Sequence, residues 1–435
     1  MITRRDMLSR AALLGGAAFL EATADAKNAQ AQSAPATTPS SPPPGPLPYT
    51  PYTSVVTPNG STLPWTMDGN VKVFQLVAEE VKREFAPGMT VHCWGYNGQT
   101  PGPTIEMVEG DRVRFYVTNK LPERTSVHWH GIILPCGMDG VAGLVQPHIE
   151  PGETYVYEFT VRKPGTFMYH PHSDEMVQMA LGMMGFFIVH PRVRERIDRD
   201  FAIMLMEWAI PPGTARPNPV VMTDFNIFTF NSRVWPGTDP LIVKKNDRVR
   251  IRLGNLSMDN HPIHIHGHNF EVTGTDGGRI RESARWPETT VDVPVGTTRD
   301  IEFTADNPGD WAFHCHKTHH TMNAMSHDVP NLIGVKQGSV EQRVRKILPG
   351  YMAMGEKGMG NMMDMGRPKN TLPMMAGEGP FGPVEMGGMF TIIKIREGLT
   401  DYNTDPGWYR HPAGTVAHKV SGPPPKNPGG PPSPK

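Results

Sequence analysis

The sequence predicts an all-β protein made of two tandem β-sandwiches. Two observations carry that prediction. Short alternating or β-rich runs recur at Val71–Val77, Thr90–Tyr96, Arg112–Thr118, Tyr155–Val161 and Gly185–Val189, with Gly, Pro and Asn between them and no long helical pattern. Such spacing belongs to sandwiches. The chain also repeats itself. Gly110-Asp111-Arg112-Val113-Arg114 returns as Asn246-Asp247-Arg248-Val249-Arg250 at an offset of 136, and the same offset carries His128, His130 and Gly131 onto His264, His266 and Gly267. Glu158-Phe159-Thr160, Pro164-Gly165 and His170/His172 return at an offset of 144 as Glu302-Phe303-Thr304, Pro308-Gly309 and His314/His316. Two copies of one sandwich explain both offsets.

In chain order, residues 1–32 read as an export signal. Thr3-Arg4-Arg5-Asp6-Met7-Leu8 is a twin-arginine pattern, and Ala11 to Leu20 is an apolar run too short to span a bilayer. Ala24-Asp25-Ala26 and Ala29-Gln30-Ala31 are candidate cleavage sites. This address implies a bacterial periplasm, reached already folded. Residues 33–51, rich in Pro, Ser, Ala and Thr, read as a disordered linker. Residues 52–195 make the first sandwich, closing on Met183–Val189, and 196–397 the second, closing on Gly388–Ile393. Residues 190–220 read as the connection between them. Residues 398–435 end in a Pro/Gly-rich run and read as a flexible tail, with His411 and His418 exposed to solvent.

The second copy carries extra chain. His172 to Phe186 is 14 residues, whereas His316 to Phe390 is 74. The insert, about 340–386, holds Met352, Met354, Met359, Met362, Met363, Met365, Met374, Met375 and Met386 among Gly and Pro. With no strand or helix period, these methionines are not a core stripe. Thioethers prefer Cu(I), so the insert reads as a copper-binding lid rather than an inert loop.

Composition limits the classes. The chain has 435 residues, 38% of them hydrophobic, with a formal charge of −1, so nothing draws it to nucleic acid or an anionic membrane. Gly and Pro, at 45 each, suit a turn-rich protein. Of three cysteines, Cys93 and Cys136 are open to a disulfide or to two free thiols, and Cys315 has another use.

That use lies in His314 to Met325, HCHKTHHTMNAM. Cys315, His320 and Met325 supply a thiolate, an imidazole and a thioether, the ligand types of a blue copper with a weak axial Met. His314 and His316 flank Cys315, and alternation along a strand turns them to the opposite face. They are free to hold a second metal site, joined to the first through Cys315. Three further pairs, His128/His130, His170/His172 and His264/His266, repeat the same period of two.

On HWHG at 128–131, HPH at 170–172, HPIHIHGH at 261–268 and HCHKTHHTMNAM at 314–325, the chain closely resembles the multicopper oxidases, over residues 90–330 and again at 385–396. The resemblance implies two cupredoxin-like Greek-key domains. It implies four coppers per functional unit. His261, Cys315 and His320, with axial Met325, hold the type 1 copper. His128 and His264 hold type 2, and His130, His170, His172, His266, His314 and His316 hold the type 3 pair. Electrons pass from Cys315 to His314 and His316. At the positions of His261, Cys315, His320 and Met325 the first copy has Thr125, Pro171, Met176 and Leu181, so only the second holds blue copper. Only 88 residues separate His172 from His261, too few for a third domain between them, which resembles the two-domain type. In that type the histidines of one domain face those of a neighbouring subunit in a homotrimer. Asp139 matches the family's proton-relaying acid. The Glu usual after the position of His320 is Thr321 here, which leaves Asp174 or Glu175 as substitutes.

The expected function is therefore oxidation of a one-electron donor, Cu(I) first and phenols as the alternative, with dioxygen reduced to water and a role in copper tolerance. A non-catalytic copper-binding protein would not need eleven matched ligands, and a copper nitrite reductase would carry its blue copper where this chain has Pro171.

Overall fold

The computed structural model describes residues 51–323, 369–372 and 377–422, with the short pieces 331–333, 343, 346–347 and 352–354. The export signal, the linker before residue 51, Met325 and most of the methionine-rich insert lie outside the described residues.

The first copy packs two sheets face to face. One holds Trp65–Asp68, Val71–Ala86, Met89–Tyr96, Arg112–Asn119 and Thr154–Thr160, and the other holds Ile105–Val108, Gly185–His190, Gly165–His170 and His128–His130. Arg112–Asn119 alternates as the sequence predicts, with Val113, Phe115 and Val117 inward. The odd positions of the opposing sheet answer them. Trp129 is fully buried with its ring centroid 4.4 Å from that of Phe115. Burying a ring of this size contributes about 3 kcal/mol. It also anchors the strand so that His128 and His130, one residue either side, face away from the core.

The second copy repeats the plan. Its five-stranded sheet contains Leu241–Lys244, Phe390–Arg396, Gly309–Cys315, His261–Ile265 and Thr290–Val293. Arg248–Asn255 pairs Thr297–Thr304 as Arg112–Asn119 pairs Thr154–Thr160. His264 lies opposite His314 across its ladder, as His128 lies opposite His170. Both tandem domains are thus of the expected all-β, cupredoxin-like kind.

Two readings need correcting, and one open alternative is decided. Residues 190–220 are not merely a connection. They contain Arg199–Trp208, a ten-residue strand with nine residues buried. It runs parallel to Val55–Val56 on one side and Arg248–Asn255 on the other. Its sequence shows no alternation because both faces are covered. Ile203 and Leu205 enter the second core, while Ala202, Met204, Met206 and Trp208 join Met168, Phe186 and Ile188 of the first copy in a cluster between the two. Among the described residues after 397 there is no strand, yet the chain is tied down as far as Tyr409. Tyr402 Oη donates to Asp247, Lys394 pairs Asp405 at 2.6 Å, and the Tyr409 amide donates to Asp310. His411 and His418 are exposed. Finally, Cys93 is buried and Cys136 exposed, and both are free thiols.

Below the interdomain cluster the contact becomes ionic. Arg252 Nε is 2.8 Å from Asp200, and its Nη1 donates to Thr166 Oγ1, which donates to Asp300. Arg250 sits 2.9 Å from Glu302. All five charged residues and Thr166 are buried, so each charge depends on its neighbours.

Candidate metal centres

Three ligand atoms converge at the edge of the second core. Cys315 ends Gly309–Cys315 pointing into the sandwich, fully buried. The short 3₁₀ turn Thr318–Thr321 folds the chain back so that His320 returns beside it. Cys315 Sγ is 3.6 Å from His320 Nδ1 and 3.9 Å from His261 Nδ1, and the two nitrogens are 3.1 Å apart. An ion about 2.0 Å from each nitrogen and about 2.3 Å from the sulfur would produce such a triangle at near-trigonal angles. The residues therefore fit a blue copper. Their outer atoms are fixed as well. Ser257 Oγ lies 2.9 Å from His261 Nε2, which turns Nδ1 inward, and Phe228 stacks on the His320 ring at 4.0 Å and 12°. Burial holds His261 well below the usual imidazole range and His320 down to about 4, so both rings are neutral with a lone pair free.

The eight remaining histidines fall into two sets. His128, His130, His170 and His172 face one another in the first copy, with ring centroids 5.3–5.7 Å from His128. His264, His266, His314 and His316 do so in the second, at 4.8–5.6 Å from His264. Backbone carbonyls select the free nitrogen. His128 Nδ1 donates to Asp139 O at 2.8 Å, His170 Nδ1 to Pro171 O at 2.9 Å, His264 Nδ1 to Thr289 O at 2.7 Å and His314 Nδ1 to Cys315 O at 2.8 Å. Each bond leaves Nε2 bare for a metal. His170 Nε2 lies 3.2 Å from His130 Nδ1, and His314 Nε2 lies 3.2 Å from His266 Nε2. These are close approaches of nitrogens that an ion between them would bridge. Burial pushes His170 down to about 3 and His314 to about 4. The first set lines one cavity and His264 and His266 of the second line another, and no ring contact joins the two sets among the described residues.

The first copy has closed its other site. Thr125, at the place of His261, is buried and donates to Gln178 Oε1 at 2.7 Å, and Leu181 is buried. Of the expected acids, Asp139 lies beside the first set, with Oδ1 3.6 Å from His128 Nδ1. Glu175 approaches His170 at 3.6 Å and His172 at 3.9 Å, while Asp174 precedes the helix Glu175–Ala180 in a left-handed conformation.

Sequence reasoning missed Ser257, Phe228, Glu207 and Asp259. Glu207 had a signal, being the one carboxylate in the apolar run Phe201–Trp208. Phe228 had none, because nothing in the spacing links 228 to 320.

Residues 77–194 match a multicopper oxidase family model and residues 211–334 match a second one. Copper resistance protein A of Escherichia coli is 47% identical over 114 residues, 26% of this chain and 18% of that protein. L-ascorbate oxidase of Brassica rapa subsp. pekinensis is 42% identical over 250 residues, 48% of this chain and 43% of that protein. The chain spans less than half the length of these curated relatives. The crystal structure of blue copper oxidase from Nitrosomonas europaea superposes with a TM-score of 0.56 at 27% identity, covering 74% of this chain and 85% of that one.

Proposed function

The chain belongs to the multicopper oxidase family, copper-dependent oxidoreductases that use dioxygen, and within it we propose a cuprous oxidase that serves copper tolerance in the periplasm. The observation that carries the reading is Cys315, whose sulfur faces His261 and His320 while His314 and His316 on either side of it face a second set of nitrogens. Copper, when bound, supplies a one-electron acceptor in the first group and the oxygen-reducing centre in the second. Four Cu(I) ions, each giving one electron, reduce one dioxygen with four protons to two waters and leave as four Cu(II).

The chain's own residues do the rest. Carbonyls of Asp139, Pro171, Thr289 and Cys315 hold the rings in the tautomers the centre needs. Asp139 relays protons at the first set, and Glu175 beside it substitutes for the acid that is missing at Thr321. Met325, outside the described residues, would supply the thioether that the resemblance implies for the blue site. The triangle and the two sets of four imidazoles would accommodate the four coppers that the resemblance implies. The first set lines one cavity and His264 and His266 another, which supports a second copy of the chain completing each centre, and the resemblance to the two-domain type implies a homotrimer. No described helix is long and apolar enough to cross a membrane, and the twin-arginine address supports export.

Oxygen uptake by the copper-loaded protein tests the reading, with Cu(I) and a bulky phenol as alternative donors. Rapid uptake with Cu(I), several-fold above the phenol, is expected. Uptake with the phenol alone would make the protein a laccase.

A further inference from the structure

The helix Glu175–Ala180 stands where the second copy makes its blue-copper turn, and the first copy puts that place to another use. In the second copy the turn Thr318–Thr321 brings His320 back to Cys315. In the first, Met176 holds the position of His320, and the former site is filled by Gln178, fully buried against Thr125. Residues three and four apart share a helix face, so Glu175, Met176 and Met179 lie together on one side. That side lines the cavity of about 600 Å3 in front of the first histidine set, and Met222 lines the same cavity from the loop after Arg199–Trp208. Met176 and Met222 are each 57% exposed, and Met179 is half-buried. Thioethers left in water at a cavity mouth add little to a core, and they are free to meet a soft ion.

The inner end of the cavity holds a different kind of ligand. Nitrogens of His128, His130 and His170 lie within 4.8 Å of one another, and the Pro171 carbonyl leaves His170 Nε2 bare. Glu175 links the two ends, with its carboxylate 3.6 Å from His170 and 3.9 Å from His172. Elsewhere the walls include Pro219, Phe225 and Val295, which offer no polar side-chain atom to a hydrated cation. The order is therefore exposed sulfurs, then a carboxylate, then buried imidazoles. Thioethers are neutral, lose no proton on binding and favour Cu(I), whereas hydrated hard cations want oxygen. Among the described residues no methionine lines the cavity of His264 and His266, so the thioethers belong to the first set alone.

We propose that Met176, Met179 and Met222 form a loading port, which captures Cu(I) at the mouth of this cavity and passes it to His128, His170 and His172. The inference rests on the first set being a copper site. It concerns how that site is filled, before any donor is oxidised. The ion exchanges sulfur ligands for nitrogen ligands and stays Cu(I) throughout, so no electron is transferred, and the neutral rings release no proton. Glu175 offsets its positive charge midway. The helix that closed the first copy's blue site thus supplies the port on its other side.

The test fills the full-length chain, stripped of copper, with Cu(I) supplied anaerobically as its bicinchoninate complex. Loss of that complex's colour follows the transfer in time. The phase present in the wild type and missing from His130→Ala with His172→Ala is the filling of the first set. Met176→Leu and Met222→Leu keep the side-chain bulk at exposed positions and remove the sulfur, and Met67→Leu on the exposed strand Trp65–Asp68 is the control. Each port variant is expected to slow that phase about tenfold, with the final copper content and the rate of filling by Cu(II) unchanged, and Met67→Leu to match the wild type. The blue absorption band that develops on admitting air confirms that each variant is folded. Wild-type Cu(I) rates in both port variants would overturn the port. Equal slowing with Cu(I) and Cu(II) would overturn it too, because the side chains would then only shape the entrance. A wild type that lacks the phase altogether would instead sink the copper assignment of the first set, and with it this inference.

Discussion

Cys315 has no exposure to water, and burial pushes its thiol up to about 12. Near neutral pH the metal-free protein therefore keeps that proton, and copper must expel it to gain a thiolate. His261 and His320 are already neutral and release nothing. Copper uptake at this site should release about one proton per ion at pH 7, and its affinity should rise about tenfold per pH unit until the thiol itself ionises. Calorimetry in two buffers of different ionisation enthalpy measures the proton count, and a value near zero would mean that the thiol is not the ligand. The residues of this triangle were legible because strand alternation and a short return loop turn sequence spacing directly into direction. Ser257, which fixes His261, and Phe228, which covers His320, were not legible. Both act across folds of chain with no period connecting them.

Arg199–Trp208 is the element that sequence patterning concealed. Alternation reports one wet face and one dry face, and this strand has two dry ones, against the second core and against the first copy. The flanking strand Arg248–Asn255 hides a similar feature, since its Arg250 and Arg252 are buried. They meet Asp200, Asp300 and Glu302 instead of water. Burial opposes the charge of Glu302, but Arg250 and Arg279 outweigh burial and hold its carboxyl well below the usual range. A depressed folded value contributes stability that is complete above about pH 4.3, the ordinary glutamate value, and that is lost as pH falls further. Glu302→Gln should therefore cost about 3–5 kcal/mol in denaturant unfolding at pH 7, because it leaves arginine charges unpaired, and should flatten the loss of stability below pH 4. An unchanged unfolding midpoint would show that the arginines find other partners. The strand pairs that carry the histidines, by contrast, followed the two sequence offsets, with His128 opposite His170 and His264 opposite His314.

At the scale of the whole molecule the duplication explains both what each copy holds and what it lacks. The second copy keeps the Cys315 triangle and four imidazoles. The first has closed its triangle with Thr125 and Gln178 and keeps four imidazoles alone. No ring contact joins the two sets within the described chain, so in the proposed arrangement a neighbouring copy supplies the other half of the oxygen-reducing centre. Mixing subunits tests this directly. His130→Ala with His172→Ala disables the first set, and His266→Ala with His316→Ala disables the second. Each variant alone should fail to take up oxygen with Cu(I). Co-assembled from equal amounts, they should regain about a quarter of the wild-type rate, because one head-to-tail contact in four then joins two intact sets. No recovery, in mixtures proven to contain both variants in one oligomer, would mean that each chain completes its own centre and would contradict the account.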